Sequence, residues 1–293
     1  MSSYELLKNC NLCPRECGVN RLNETGFCKT GYFPKISSIY ISSSEEPVLC
    51  NEIGAGLIYF SGCPMDCIYC HMSGFSRTGK GKEITLDELV DSMLKIQEKG
   101  AKTLLFLSAT QYLPWVLDAI DYAKRKGFSL PIVYKTSGYE KVEVLRMMKG
   151  YVDIYLPDLR YTSNEIGEKY SHVPNYWDIT REAIIEMYDQ VGYFDENKMK
   201  GLIVRILLLP HDLNGTERAF KFIKELDEKI PISIMTQYTP LFEARNDDLI
   251  SRRINRDEIF NVFLLAIKYN IKGWMQGENL TLEEARKRII PIR

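Results

Sequence analysis

From residue 56 onward the chain repeats one pattern: a short, continuous apolar run, then an amphipathic stretch of helical period. Nothing else in the sequence constrains the fold as much. Unbroken apolar runs of this length are what parallel strands covered on both faces require. Six strands are predicted, over 56–60, 103–107, 131–134, 152–156, 201–209 and 232–237. Thr85 to Glu88 form a capping box, followed by Leu86, Leu89, Val90, Met93 and Leu94 on one helical face and Gly100 as the stop. Pro114 falls in the first turn of the next helix, which ends at Gly127. Further helices are predicted over 141–148, 180–191, 216–228, 257–269 and 282–287. Six βα units are too few for an eight-fold barrel, which leaves an open barrel or a doubly wound sheet.

The 293 residues, 45% of them hydrophobic, suffice for one barrel-sized domain with an appendage. A net charge of −1 gives no bulk electrostatic footprint for nucleic acid or an anionic membrane. No apolar run is long enough to span a bilayer, and the first residues lack the regions of a signal peptide. A cytoplasmic protein is expected.

Eight cysteines, at 10, 13, 17, 28, 50, 63, 67 and 70, all fall in the first quarter of the chain. In a reducing compartment such clustering points to metal rather than disulfides. Cys63, Cys67 and Cys70 form a C-x3-C-x2-C loop directly after the first apolar run. Three thiolates on one loop can occupy three corners of an iron-sulfur cube and leave one iron open. Zinc is the alternative, but a structural zinc site takes four closed ligands, and His71 adjoins Cys70 with poor reach. Cys50, alone before the first strand, reads as a small buried apolar side chain.

The string from Phe60 to His71, Phe-Ser-Gly-Cys-Pro-Met-Asp-Cys-Ile-Tyr-Cys-His, resembles the cluster loop of radical S-adenosylmethionine (SAM) enzymes. It looks most like the branch related to pyruvate formate-lyase activating enzymes. The resemblance implies a partial (β/α)6 barrel, with a [4Fe-4S] cluster on Cys63, Cys67 and Cys70 whose open iron is chelated by SAM. It implies reductive cleavage of SAM to methionine and a 5′-deoxyadenosyl radical, with flavodoxin or ferredoxin as electron donor. Tyr69, before the last cysteine, then lies near the adenine or serves as a core aromatic under the loop.

In parallel α/β folds the site gathers at the carboxyl ends of the strands. Those ends carry Ser108 and Thr110, Lys135 to Gly138 with Ser137, Asp158 and Arg160, Arg205, and Gln237. Arg205 stands between Val204 and Ile206, so alternation turns it into the barrel, where a charge needs a partner. That partner is either SAM, as the resemblance implies, or a structural carboxylate such as Asp158. Asp158 and Arg160 match a family phrase that contacts SAM, and otherwise read as a solvated ion pair. Related enzymes carry Gly-Gly-Glu or Gly-Gly-Asp after the second strand; Ser108-Ala109-Thr110 here offers no carboxylate.

Residues 1–50 are predicted as a cysteine-rich metal-binding extension, 51–240 as the barrel and 241–293 as a helical extension packed on it. Cys10, Cys13, Cys17 and Cys28 are set to close a second metal site, either zinc, which is preferred, or another iron-sulfur cluster. The expected function is radical generation for hydrogen abstraction, with a glycyl radical enzyme as protein substrate. The alternatives are a peptide or small-molecule substrate, or a non-enzymatic iron-sulfur protein on the same scaffold.

Overall fold

The structure is a computed structural model that describes residues 3–107, 109–276 and 280–281. The predicted helix over 282–287 and Ser108 lie outside the described residues. In chain order the strands and helices are β1 (Lys35–Ser42), β2 (Ala55–Phe60), the short α1 (Ser73–Ser76), β3 (Lys82–Glu83), α2 (Leu86–Glu98), β4 (Leu104–Leu107), α3 (Leu113–Arg125), β5 (Ile132–Thr136) and α4 (Val142–Met147). They continue as β6 (Ile154–Pro157), α5 (Asn164–Ser171), α6 (Tyr176–Val191), β7 (Gly201–Leu202), β8 (Val204–Leu207), α7 (Thr216–Leu226), β9 (Ile232–Met235), α8 (Arg256–Lys268), β10 (Gly273–Gln276) and β11 (Leu280–Thr281).

The strand predicted over 201–209 shows how the sheet bends. Its first part, β7, pairs parallel with β6, and its second part, β8, pairs parallel with β9. Ile203 N–H still donates to Tyr155 O at 3.0 Å, so the break lies within one continuous wall. The parallel strands therefore follow in the order β2, β4, β5, β6, β7/β8, β9, β10. Among the described residues β2 is flanked by antiparallel β1 and β10 by antiparallel β11, and no ladder joins the two ends. The protein is an α/β open barrel.

Alternation divides the strand residues between two cores. Ile58, Phe60, Leu104, Phe106, Ile132, Tyr134, Val204 and Ile206 face the helices and pack on stripes such as Leu89, Val90 and Met93 of α2. The capping box of Thr85 and Glu88 starts that helix as predicted. Leu57, Tyr59, Leu105, Leu107, Val133, Ile154, Leu156 and Ile203 line the concave face. Burying both faces is what continuous apolar runs achieve, at roughly 25 cal/mol per Å² of apolar surface.

Three elements depart from the sequence pattern. The extension predicted over 1–50 contributes β1, which pairs with β2 along most of its length. The segment predicted as wholly helical after 240 contributes β10, a seventh parallel position beside β9. Asn164–Ser171 is a helix with a Ser163 cap that accepts from Ile166 N–H at 3.4 Å. Its polar composition and Gly167 hide a period that only tertiary packing reveals.

Candidate functional site

The loop after β2 is held from several sides. Asp66 N–H donates to Ser171 O at 3.1 Å and Ile68 N–H to Tyr170 O at 3.0 Å, which lays the loop along the end of α5. Arg77 bonds Asp66 and reaches Glu243 at 2.9 Å. Gln111 Nε2 donates to Ser61 O and Gly62 O at 3.0 and 2.9 Å. Gly62 sits at φ +81°, and a Cβ there would collide with Cys28 O. Glycine is therefore required for the backbone of the N-terminal segment to approach so closely.

Each loop thiol has one polar neighbour of its own. Met65 N–H points at Cys63 Sγ at 3.4 Å, Ser171 Oγ–H at Cys67 Sγ at 2.9 Å, and Ser76 Oγ lies 3.3 Å from Cys70 Sγ. Burial pushes the Cys63 and Cys67 thiols up, while the Arg160 guanidinium pulls Cys67 back toward the thiolate. Tyr69 is buried beneath the loop, bonded to the Tyr161 hydroxyl and edge-on to the Tyr238 ring at 5.8 Å. Burial raises its hydroxyl to about 12. The structure thus places Tyr69 as an aromatic support under the loop.

Beside the loop, a charged row crosses the concave mouth. Asp158 Oδ2 accepts from Arg160 at 2.9 Å, and Asp158 Oδ1 lies 3.3 Å from Arg205. Arg205 turns inward as alternation predicts and meets Glu46 at 2.8 Å. Its contacts with both carboxylates are close but angled, and neither Arg205 Nε nor Asp158 Oδ1 has an aligned hydrogen bond. Glu46 is fully buried and also accepts from Ser233 and Gln276. Next to it Glu45 pairs with Lys135 at 2.6 Å. Asp158 and Arg160 keep 16% and 22% of their side chains exposed, and Arg160 Nε has no partner.

The other predicted site residues lie apart from this row. Thr110 is buried on the helix side of β4, donating to Glu140 at 2.7 Å and bonded to the Tyr134 hydroxyl. Ser137 presents its carbonyl to Tyr176 at 2.8 Å. Gln237 is exposed and donates to Gln276 at 2.7 Å.

Glu45, Glu46 and Ser171 were not read from the sequence as site residues. Two adjacent acids before Pro47, in a run that leads into the first barrel strand, were the available signal for the first two. Nothing local marks Ser171, which reaches Cys67 across the fold.

Cys10, Cys13, Cys17 and Cys28 come together on the outer side of the same loop, around one small cavity that Pro64 and Gln111 also line. Arg15 ties this segment down, donating to Pro64 O at 2.8 Å and to His172 O at 2.5 Å. Among the described residues no three His, Cys, Asp or Glu side chains close tightly enough on one point to hold a single ion. That holds for the loop thiols as for the quartet.

The family described as the Radical SAM superfamily matches residues 57–223, the span from β2 through α7. The chain belongs to the radical SAM superfamily. It is 31% identical over 278 residues to an uncharacterized protein of Methanocaldococcus jannaschii, covering 91% of this chain and 76% of that one. It is 24% identical over 114 residues to the pyruvate formate-lyase-activating enzyme of Clostridium pasteurianum, covering 37% of this chain and 47% of that enzyme. In fold it is similar to the FeFe-hydrogenase maturase HydG of Carboxydothermus hydrogenoformans, with a TM-score of 0.52 at 15% identity over 75% of this chain. The chain spans 52% of that maturase. No described helix is long and apolar enough to cross a membrane.

Membership implies a [4Fe-4S] cluster and SAM, and the residues at the mouth fit both. Three thiols on one loop, each with a nearby donor, suit the corners of a cube, and donors to sulfur tune such a centre. Asp158 and Arg160 carry both charge signs and are partly exposed, a pair that a zwitterionic ligand can use.

Proposed function

We propose that the chain cleaves SAM reductively at a [4Fe-4S] cluster on Cys63, Cys67 and Cys70 to generate a radical for hydrogen abstraction. The observation that carries this reading is the three-thiol loop at the carboxyl mouth of the parallel strands, with Asp158 and Arg160 beside it. When bound, the reduced cluster and SAM supply the 5′-deoxyadenosyl radical. The protein's part is to bind and orient. Arg160 would take the carboxylate of SAM, and Asp158 would accept from its amino N–H. Arg205, already engaged by Glu46, holds Asp158 in position. Tyr69, Tyr161 and Tyr238 fill the space beneath the loop and keep water from that side.

The partial similarity to an activating enzyme supports a glycyl radical protein as the hydrogen donor. A flavodoxin or ferredoxin then delivers the electron, in the reducing cytoplasm that such a cluster needs. The test is anaerobic reconstitution with dithionite and SAM. Methionine and 5′-deoxyadenosine should form in equal amounts, and the Cys63→Ala/Cys67→Ala/Cys70→Ala protein should form neither. A protein that carries the loop cluster yet neither binds nor cleaves SAM would be a non-enzymatic iron-sulfur protein, and the reading would fall.

A further inference from the structure

Outside the mouth, the largest gathering of metal-ligating side chains is the N-terminal quartet. Cys10, Cys13, Cys17 and Cys28 all line one cavity of ≈ 10 Å³, with Leu12, Phe27 and Pro64 as apolar wall. Cys10 and Cys28 are buried, and Cys13 and Cys17 are half-buried. The backbone is arranged to aim them inward. Cys10 N–H donates to Val19 O and Gly18 N–H returns to Cys10 O, closing a tight loop around Cys13 and Cys17. A Cβ at Gly26 would stand 3.2 Å from Cys17 Sγ and 3.6 Å from Cys28 Sγ, so these two thiols flank one point of the chain. Buried Arg21 and half-buried Arg15 line the same cavity and supply positive charge to balance thiolates.

How the thiols converge bears on the kind of metal centre. Four thiolates around zinc converge on one ion at about 2.3 Å. The four cysteines line one cavity, and among the described residues no three of them converge on a single-ion position. The ligands of an iron-sulfur cube sit on separate corners and stand farther apart. Cys63, Cys67 and Cys70 likewise do not converge on a single-ion position.

We propose that Cys10, Cys13, Cys17 and Cys28 hold a second [4Fe-4S] cluster, closed at all four corners and packed against the back of the loop that carries Cys63. Pro64 lines its cavity and is the residue next to Cys63, so a single residue separates the ligand sets. With four protein thiolates it has no open iron for SAM. This assignment stands independently of SAM cleavage, because its readout is metal content and spectrum.

The experiment uses the full chain, purified without oxygen and reconstituted with iron and sulfide. The parent should hold about eight irons and eight sulfides per chain, as two four-iron cubes require. The Cys63→Ala/Cys67→Ala/Cys70→Ala protein should keep about four irons and a reduced-cluster signal that SAM leaves unchanged. The Cys13→Ala/Cys17→Ala protein should also keep about four, those of the loop. One zinc per chain in the parent, lost in the Cys13→Ala/Cys17→Ala protein while iron stays constant, would overturn the proposal. So would a Cys63→Ala/Cys67→Ala/Cys70→Ala protein that is folded and free of iron. Should the Cys13→Ala/Cys17→Ala protein fail to fold, the parent and the loop variant still decide.

Discussion

The concave mouth and the helix-facing layer behind it each bury a glutamate, and the two have different partners. Glu46, inside, faces a guanidinium, a hydroxyl and an amide. Glu140, outside, faces the Thr110, Thr136 and Tyr134 hydroxyls, with no cation paired to it among the described residues, and burial raises it to about 7. A charge buried in a barrel interior is costly without a partner, and burial without a cation favours the protonated form of a carboxyl. The mouth therefore carries paired charges, whereas the layer behind it holds a carboxyl among hydroxyls. Polar residues at strand ends belong to one or the other, and only the first kind faces the mouth.

Breaking the charged side should have the largest effect. Arg205→Met leaves Glu46 buried without a cation and should lower stability by about 3–5 kcal/mol. Adding Glu46→Gln should restore a large part of that loss, because a neutral pair of similar volume has no charge to strand. Urea unfolding of the two proteins checks this. A double variant no more stable than the single one would remove the pairing from the account.

The neutral side is tested by pH. A carboxyl whose folded value lies above its unfolded one is favoured in its protonated form. Its stabilisation is complete below the ordinary value of 4.5 and is lost as pH rises through about 7. From the size of that shift the loss is about 3 kcal/mol. Glu140→Gln should flatten the stability profile between those limits. A profile as steep in the variant as in the parent would place the charge elsewhere.

Smaller effects separate the two sides by ligand affinity. Arg160→Gln should weaken SAM binding by about 10–100-fold, the size of one charge-assisted hydrogen bond of roughly 1.5–3 kcal/mol. Thr110→Val should leave SAM binding unchanged and lower stability by about 1 kcal/mol, the loss of its bond to Glu140. Isothermal titration of the reconstituted proteins measures both affinities. Weaker SAM binding in the Thr110 variant would move that residue back to the mouth.

The alternation along each strand was legible because burial repeats every second residue, and it turns Arg205 inward. The cluster loop was legible because its ligands are local, within eight residues of sequence from Cys63 to Cys70. Glu46 was not, since its partners Arg205, Ser233 and Gln276 come from three distant strands. Thr110 was assigned to the cofactor from its place after a strand, but the turn there rotates it toward Glu140. Sequence position gives the strand end and not the side on which a turn delivers its hydroxyl. β10 escaped for a related reason. Gly273-Trp-Met-Gln carries little apolar run, and its partner β9 supplies the register.

The central claim is that the Cys63–Cys70 loop holds the one cluster open to SAM. Electron paramagnetic resonance of dithionite-reduced protein, recorded with and without SAM, tests it most directly. In the Cys13→Ala/Cys17→Ala protein the cluster signal should shift when SAM is added. In the Cys63→Ala/Cys67→Ala/Cys70→Ala protein any signal should stay the same. A SAM-dependent shift that survives loss of the three loop cysteines would contradict the account, as would an unshifted spectrum from a protein that retains them and their iron.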